Sequence, residues 1–560
     1  MTLSCNRGGL VPPRHFMQNI SPISAAAVCC LCILLSGVQP ASAAPAAPAE
    51  PPPAQPLFDI WEIQVEGSDL IPGTAIEKAV YPHLGPERDI DDVEAARAAV
   101  EEAFRAAGYG TVLVNIPEQD VDDGIVKLEV LEGRVERLRV TGSRYFSLGR
   151  IKAGVPALAS GQTPNLSQVQ KELAALNRAS MDRKISPVLR PGRTPGAVDV
   201  DLQVEDTLPL HGSLELNDDN IRDSSRLRLN GSVRYDNLWQ REHSAGFSFQ
   251  LTPEDPNEVK VWSGTYMFRP DLWDLLVVLY GVNSNSDITS TGGGSSVGVL
   301  GNGYIGGARV IKALPAVGKV YHNLTAGLDY KDFSDTVSPV DGTGFETPIS
   351  YTKFVVGYGG FLIGETRTIR FNLENNFGVR GMGNTEKEFA NKRFQAKPSY
   401  MYLRGNAAWE GQPFEGTLFA GTKLLLEFEG QVSSGAIIGN EQFSLGGRDS
   451  VRGYFQTQGL VDHGVRGRFE LQSPSVIGDL DFELFKDLRG VTFVEAGHGR
   501  TSDPLPGQDE AFSLASTGIG LRLQAPHGLS SAIDWAFPLI ENSEIEAFES
   551  RFHFSFGYEF

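Results

Sequence analysis

The chain has 560 residues, a formal net charge of −20 and 21% charged residues. Because nucleic-acid binding needs a basic surface, this acidity argues against a nucleic-acid partner. All four cysteines lie within the first 43 residues, which excludes disulfides and thiolate ligands from the rest of the chain.

The N-terminus has the pattern of an export signal. Residues 1–43 contain Arg7 and Arg14 without an acidic residue, then an apolar run over 25–35, and they end in a small-x-small sequence. We predict a secretory signal peptide, because the apolar run is too short to cross a bilayer as an anchor helix. Residues 44–56 are rich in Pro and Ala and are predicted to form a linker.

After the linker, strand and helix patterns alternate as in a small α/β protein. Residues 61–65 predict a strand, and Asp91 with Glu94 predicts a capping box at the start of a helix. Two further strand patterns follow, and the order of strand, helix, strand, strand then recurs. We therefore predict two small domains, at 57–133 and 134–207.

From residue 208 onward the helix pattern disappears, and apolar and polar side chains alternate. The last ten residues carry only aromatic side chains on one face, namely Phe552, Phe554, Phe556, Tyr558 and Phe560. Segments of about ten alternating residues are typical of a transmembrane β-barrel, whose closure leaves no unpaired backbone edge in lipid. We predict an all-β barrel of about 16 antiparallel strands over 208–560. The loops predicted to be extracellular lie near 283–301, 333–348 and 381–393.

One segment of the barrel region, about 432–462, has neither the helical nor the strand period. A loop of this length is usually functional or disordered. Gly446, Gly447 and Gly453 permit backbone angles that other residues resist, and Arg452 would need a carboxylate partner if it were buried. The residues alone leave two interpretations open: a shaped hairpin whose arginine has a defined target, and an exposed Gly-rich loop with two solvated arginines.

Residues for chemistry or cofactor binding form no recognisable pattern. Residues 301–306 match G-x-G-x-x-G, but neither a preceding buried strand nor a following helix is predicted there. The nine histidines lack metal-ligand spacing, and no nucleophile has a base that the sequence identifies. We predict no catalytic residue, no cofactor site and no metal site. An enzymatic barrel whose catalytic residues are distant in sequence stays an alternative.

Several short sequences carry a family resemblance. The long loop contains Val451, Arg452, Gly453 and Tyr454 as V-R-G-Y, residues 493–497 are F-V-E-A-G, Asp219-Asn220 lies near the barrel entry, and Gly108-Tyr109 and Glu132-Gly133 match the G-Y and E-G signatures of POTRA domains. With these, the chain from about residue 57 resembles the TpsB transporters of two-partner secretion. This is the ShlB/FhaC/HecB haemolysin secretion/activation family, within the superfamily of POTRA plus outer-membrane barrel insertases.

The resemblance implies a bacterial outer-membrane barrel whose two POTRA-like domains lie in the periplasm. The implied partner is an unfolded secreted exoprotein of haemolysin or adhesin type with an N-terminal secretion domain. Outer-membrane lipids and, during biogenesis, the barrel-assembly machinery are the other implied partners. The runner-up function is a protein that inserts other barrels into the membrane, and a passive porin is the third; two POTRA units favour secretion.

The resemblance also implies roles for particular residues. The V-R-G-Y loop would fold into the barrel lumen, where Arg452 would pair with the acidic residue of an F-x-D motif, here Phe493 and Glu495. Glu in place of Asp keeps the charge but lengthens the reach. A carboxylate facing lipid would cost about 1–3 kcal/mol, so Glu495 is expected to point inward, and Phe493 shares its strand face. The terminal Phe560 is implied to be a barrel-assembly signal.

Overall fold

A computed structural model describes residues 57–560 except for 122, 195, 223, 271–273, 287–289, 292–297, 300–301, 338–344, 384, 415, 417–418 and 478–484. The predicted signal peptide (1–43) and linker (44–56) lie outside the described residues. None of the described helices is both long enough and apolar enough to cross a membrane.

The first unit is a small sheet covered by helices. Its elements are β1 (Phe58–Ile60), β2 (Glu62–Glu66), α1 (Gly73–Val80), β3 (Gly85–Arg88), α2 (Ile90–Ala106), β4 (Leu113–Asn115) and β5 (Ile125–Leu131). Strand β5 lies between β2, to which it is parallel, and β4, to which it is antiparallel. Helix α2 buries Val93, Ala96, Val100 and Phe104, which recur on one face and form the core with the strands.

The start of α2 differs from the prediction. The N-cap is Asp89, whose carboxylate accepts hydrogen bonds from the backbone N–H groups of Asp91 and Asp92. Asp92 returns the bond by accepting from the N–H of Asp89. The predicted Asp91 and Glu94 cap was wrong by two residues, because Asp92 takes the place of the usual Glu or Gln in the capping box.

The second unit repeats the arrangement of the first. Its elements are β6 (Val135–Thr141), α3 (Leu148–Ala153), α4 (Leu166–Ala179), β7 (Arg183–Pro191) and β8 (Val198–Asp206). The last strand is again central, parallel to the first strand and antiparallel to the strand before it. The prediction of one helix per unit was incomplete, since α1 and α3 are too short to show a clear apolar period in the sequence.

Sixteen antiparallel strands of the described residues close into a barrel, which confirms the predicted fold class. The barrel strands are β9 (Leu210–Asn217), β10 (Arg228–Leu238), β11 (His243–Leu251), β12 (Val259–Phe268), β13 (Leu276–Ser286), β16 (Gly303–Ala313), β17 (Val320–Val337), β18 (Phe345–Ile363), β19 (Arg367–Gly378), β20 (Met401–Gly411), β21 (Lys423–Ser433), β24 (His463–Gln472), β25 (Asp487–Arg500), β26 (Ala511–Gln524), β27 (Leu529–Pro538) and β28 (Arg551–Glu559). The connections add two hairpins and a helix: β14 (Ser290–Thr291) with β15 (Gly298–Val299), β22 (Phe443–Leu445) with β23 (Gly459–Val461), and α5 (Glu386–Lys392).

Along the barrel strands, exposed apolar side chains on the outer face alternate with side chains that point into the lumen. In β25, Phe493 and Glu495 are 1% exposed, whereas Val494 between them is 52% exposed. In β28, Phe552 and Phe556 face outward and His553 is buried. This alternation is what a strand with lipid on one side and a filled lumen on the other requires.

The second α/β unit marks one rim of the barrel. Arg183 of the second unit pairs with Glu242 in the turn between β10 and β11 at 2.5 Å, and Asn237 donates to the carbonyl oxygen of Tyr145 at 2.9 Å. Strand β9 begins at this rim, and successive strands run in alternating directions. The β21–β24 connection therefore leaves the barrel at the opposite rim.

Helix α5 was not predicted, because seven residues with one buried apolar side chain give no periodic signal. Thr385 and Glu388 form a capping box at its start. Its Phe389 is fully buried and packs edge-on against Tyr351 of β18. The predicted loop at 381–393 is thus partly helical. Strands β13, β17 and β18 extend into the other two predicted loops, and the β14–β15 hairpin lies in the first of them. Residues 287–289, 292–297, 300–301 and 338–344 of these loops lie outside the described part of the chain.

The barrel closes where its last strand meets its first. Five positions pair between β28 and β9, against eight between β9 and β10. Phe560 extends this seam, because its N–H and carbonyl oxygen each form a 3.0 Å hydrogen bond with the backbone of Gly212. Its ring also covers Gly212, where an added Cβ would lie 2.3 Å from a ring carbon.

Deleting Phe560 is predicted to weaken barrel closure, because it removes two backbone hydrogen bonds from the shortest seam. Phe560→Ala keeps both bonds and removes only the ring. In gels run with and without heating, we expect the deletion to lower the temperature at which the folded band is lost, and the alanine variant to lie between it and the native chain. Equal loss in both variants would show that the ring, and not the backbone pairing, is what assembly requires.

Candidate functional site

The β21–β24 connection, residues 434–462, folds back into the barrel. Strands β22 and β23 pair within it to form a hairpin, so the exposed-loop alternative does not describe this structure. Leu445, Val451 and Tyr454 are fully buried. Leu445 and Val451 contact the lumen-facing Gly497 of β25, where an added Cβ would lie 2.8 and 3.4 Å from their side chains. We call this connection the lumen loop.

Two glycines shape the tip of the lumen loop. Gly447 has φ +97°, and Gly453 has φ +91°. A Cβ on Gly453 would also lie 3.1 Å from the ring of Pro538 in β27. A side chain at either position would therefore strain the backbone that presents Arg452.

Arg452 lies at the centre of the site and is 2% exposed. Its backbone N–H donates to Glu495 Oε2 at 2.6 Å, and its Nε donates to Glu495 Oε1 at 2.9 Å. Its Nη2 lies 2.8 Å from Glu470 Oε2, and its Nη1 lies 3.2 Å from Asp534 Oδ2. Burial alone would lower the pKa of Arg452, but Glu495 and Asp534 raise it, so the guanidinium stays charged.

Phe493 supports the guanidinium from one side. The guanidinium carbon lies 3.4 Å from the centroid of the Phe493 ring. Such stacking is favourable because the ring face is negative. Phe493 and Glu495 are two positions apart on β25, so one strand supplies both the stacking surface and the carboxylate.

The predicted pair of charges is part of a larger network. Arg468 of β24 donates to Glu495 Oε1 at 2.6 Å, and Arg522 of β26 contacts both Asp534 and Glu470. Three guanidinium groups thus face three carboxylates. Buried charges are costly unless they are paired, and removing one partner typically costs about 3–5 kcal/mol.

The remaining residues of the V-R-G-Y motif fasten the tip to other strands. The N–H of Gly453 donates to His553 Nε2 at 3.0 Å. The Tyr454 hydroxyl lies 3.0 and 2.7 Å from the carbonyl oxygens of Ala515 and Ile540. Val451 packs in an apolar cluster with Leu445 and Tyr454.

The second arginine of the loop also has a target. Arg448 Nε lies 3.2 Å from Asp219 Oδ1, and its Nη2 lies 3.1 Å from Glu215 Oε1. Asp219, near the barrel entry in sequence, is thereby brought to the lumen loop. Phe560 does not lie near the lumen loop. It follows the last residue of β28 and pairs with Gly212 on the closing seam.

The sequence prediction missed Glu470, Asp534, Arg468 and Arg522. The sequence does carry a signal for Glu470 and Arg468. Together with Arg466 they occupy every second position of β24 and therefore share one face of the strand. The contact of Glu470 with Arg452, and that of Arg468 with Glu495, depend on strand register, which places Arg468 directly opposite Glu495. Register cannot be derived from either strand alone.

The structure also bears on the G-x-G-x-x-G match and on the search for metal ligands. Gly303 and Gly306 of the G-x-G-x-x-G match lie within barrel strand β16, and Gly301 lies outside the described residues. Asp182, His211 and Asp236, which no sequence spacing connects, have ligand atoms within 4.8 Å of one another at the joint between the second unit and the barrel.

Two family profiles match the chain. The POTRA domain, ShlB-type, matches residues 58–133, and the haemolysin secretion/activation protein ShlB/FhaC/HecB matches residues 196–523, which is more than half of the chain. Among curated proteins, the chain is similar to the outer membrane transporter CdiB of Dickeya dadantii (strain 3937). The identity is 25% over 455 residues, covering 76% of this chain and 75% of that protein.

Two solved structures share the fold. CdiB from Escherichia coli has a TM-score of 0.58 at 19% identity, covering 92% of this chain and 93% of CdiB. BamA from Haemophilus ducreyi lacking POTRA domains 1–3 has a TM-score of 0.53 at 15% identity, covering 90% of this chain and all of that chain (100%). At these identities the likeness shows the architecture alone.

We predict that Arg452→Ala and Glu495→Ala both loosen the lumen loop and that their effects do not add. Arg452→Ala should have the larger effect, because without Glu495 the guanidinium keeps Glu470 and Asp534. Single-channel recording in planar bilayers should show a larger ion conductance for each variant, and the double variant should match Arg452→Ala. Arg500→Ala is the matched control, since Arg500 pairs with Glu510 on the exposed rim. Additive effects would mean that Arg452 and Glu495 act separately.

Proposed function

The chain belongs to the ShlB/FhaC/HecB haemolysin secretion/activation family, and from this we propose that it carries an unfolded exoprotein across the outer membrane. The observation that supports this most is that one chain matches the ShlB-type POTRA domain at residues 58–133 and the ShlB/FhaC/HecB family at residues 196–523. It is an outer-membrane transporter with its α/β units in the periplasm.

The two α/β units are proposed to capture the exoprotein. Within the described residues each three-stranded sheet has two edge strands, β2 and β4 in the first unit and β6 and β7 in the second. An extended chain can add to such an edge through main-chain hydrogen bonds, which suits binding to an unfolded segment of varied sequence. We propose that the N-terminal secretion domain of a haemolysin-type or adhesin-type exoprotein binds there.

The lumen is the proposed path, and the lumen loop occupies it at rest. Transport then requires the loop to move or to yield space, which gives Val451, Arg452, Gly453, Tyr454, Phe493 and Glu495 a role in gating. We propose no nucleotide, cofactor or catalytic step. Folding of the exoprotein outside the cell would make its passage one-way. The apolar outer face contacts outer-membrane lipids, and the barrel-assembly machinery is the proposed partner during biogenesis.

Insertion of other barrels into the membrane is the second candidate function. One observation favours it: the β9–β28 seam has five paired positions, fewer than the neighbouring β9–β10 ladder. A short seam is the place where a barrel could open sideways to a new strand. The two functions differ in which proteins are lost when this protein is impaired: the secreted exoprotein for a transporter, and other outer-membrane barrels for an insertase.

Removing residues 57–206 is predicted to abolish exoprotein secretion while the barrel still inserts, because the capture sites are lost. Arg452→Ala should reduce secretion with both units intact. Secreted exoprotein is measured in the medium, and heat-dependent gel migration checks the barrel. Secretion that survives loss of both units would show that they are spacers. A fall in unrelated outer-membrane barrels, with secretion unchanged, would favour the insertase.

A further inference from the structure

The lumen loop meets the barrel wall at a second, separate place. Glu441 ends a short 3₁₀ turn, Gly439–Glu441, at the start of the loop and is 2% exposed. Its Oε1 accepts from Lys331 Nζ at 2.6 Å and from the Tyr351 hydroxyl at 2.7 Å. Its Oε2 accepts from the Tyr402 hydroxyl at 2.6 Å and lies 3.4 Å from Lys353 Nζ. Four donors from β17, β18 and β20 thus converge on one carboxylate.

The backbone around Glu441 is held as well. Gln431 Nε2 donates to the carbonyl oxygen of Glu441 at 3.2 Å. Ile437 and Ile438, just before the turn, are buried in an apolar cluster that includes Phe389 of α5. Burial of these two side chains brings the turn to the wall, and the carboxylate fixes its position.

The two contacts have opposite polarity. At the tip, the loop supplies a cation, Arg452, and the wall supplies carboxylates. At the turn, the loop supplies an anion, Glu441, and the wall supplies two ammonium groups, Lys331 and Lys353. The tip contacts strands β24, β25 and β27, whereas the turn contacts β17, β18 and β20, so the two contacts lie in different sectors of the ring.

We propose that Glu441 is a second anchor of the lumen loop, independent of Arg452, and that the transport path opens fully only when both are released. Glu441 is on this account a positioning residue, and its role in transport rests on the proposed function. Opposite polarity gives the loop one orientation, because neither end can take the place of the other at its site. It also explains how a loop could release one end while the other stays in place.

The energetic basis is the same at both anchors. Without Glu441, Lys331 and Lys353 would remain buried beside each other with Asp329, 3.5 Å from Lys353, as a remaining carboxylate of that wall. Like charges left unpaired in a buried site are unfavourable. The loop carboxylate is therefore needed to keep this sector of the wall closed.

Local release can be measured with two single-cysteine reporters, since the chain has no cysteine beyond position 32. Ala436→Cys reports on the turn and Val451→Cys on the tip, because both positions are buried, at 7% and 0% exposure. Glu441→Gln should raise maleimide labelling at 436 by at least about tenfold and leave 451 protected. Arg452→Ala should do the reverse. Release of both reporters by either variant alone would show a single cooperative anchor and overturn the proposal.

Charge exchange separates a specific anchor from general damage. Glu441→Lys should raise the fraction of time that the channel is open in planar bilayers, and Glu441→Lys with Lys331→Glu should restore the closed state. Glu510→Gln on the rim is the control for loss of a carboxylate. If a variant does not form a heat-resistant barrel, Glu441→Asp, which keeps the charge with a shorter reach, is used with the reporter at 436. Native protection in Glu441→Gln, or no rescue by the exchange, would overturn the anchor.

Secretion is measured in the same strains. The combined Glu441→Gln and Arg452→Ala variant should exceed either single variant in conductance, in contrast to Arg452→Ala with Glu495→Ala. Reporter and conductance changes with unaltered secretion would leave the anchor in place and count against the proposed function. Unaltered labelling and conductance with lost secretion would count against the anchor alone.

Discussion

A strand surrounded by lipid must have hydrogen-bond partners on both sides, because unpaired backbone groups have no water to replace them. This constraint closes sixteen strands into a ring and sets the alternation along each of them. Charged side chains are then confined to the inner face, where they accumulate on neighbouring strands. The inner wall near β24, β25 and β27 carries three carboxylates, and that near β17 and β18 carries two lysines.

The lumen loop adds one charge to each of these inner clusters, which also contain wall residues of the opposite sign. Arg452 meets the carboxylates and Glu441 meets the lysines, while Leu445, Val451 and Tyr454 fill the space between loop and wall. Buried ion pairs of this kind contribute uncertain net stability, because desolvation offsets much of the attraction. Their clearer effect is to fix the position of the loop, since each loop charge is favourable only beside its own partners on the wall.

Sequence reasoning went furthest where a residue pattern has one structural meaning. The alternation of β25 indicated that Phe493 and Glu495 share a face, and the resemblance placed Arg452 beside them; the structure brings all three together. It failed where structure depends on register between distant strands, as for Asp534, or on very short elements such as α5. The Asp89 cap shows a third limit, because two acidic residues in one turn offer alternative starts for the same helix.

The closing seam has a consequence for how the molecule is made. Ser213 pairs with Glu559, and Gly212 pairs with Phe560, so the ring joins positions from nearly opposite ends of the barrel sequence. Contacts between such distant positions are slow to form, because the chain entropy is lost before the contacts are gained. The first strand has no permanent neighbour on one side until the final residue has arrived. During that interval the exposed edge is a site for aggregation, and an exported chain therefore depends on being held apart from its copies until the seam has closed.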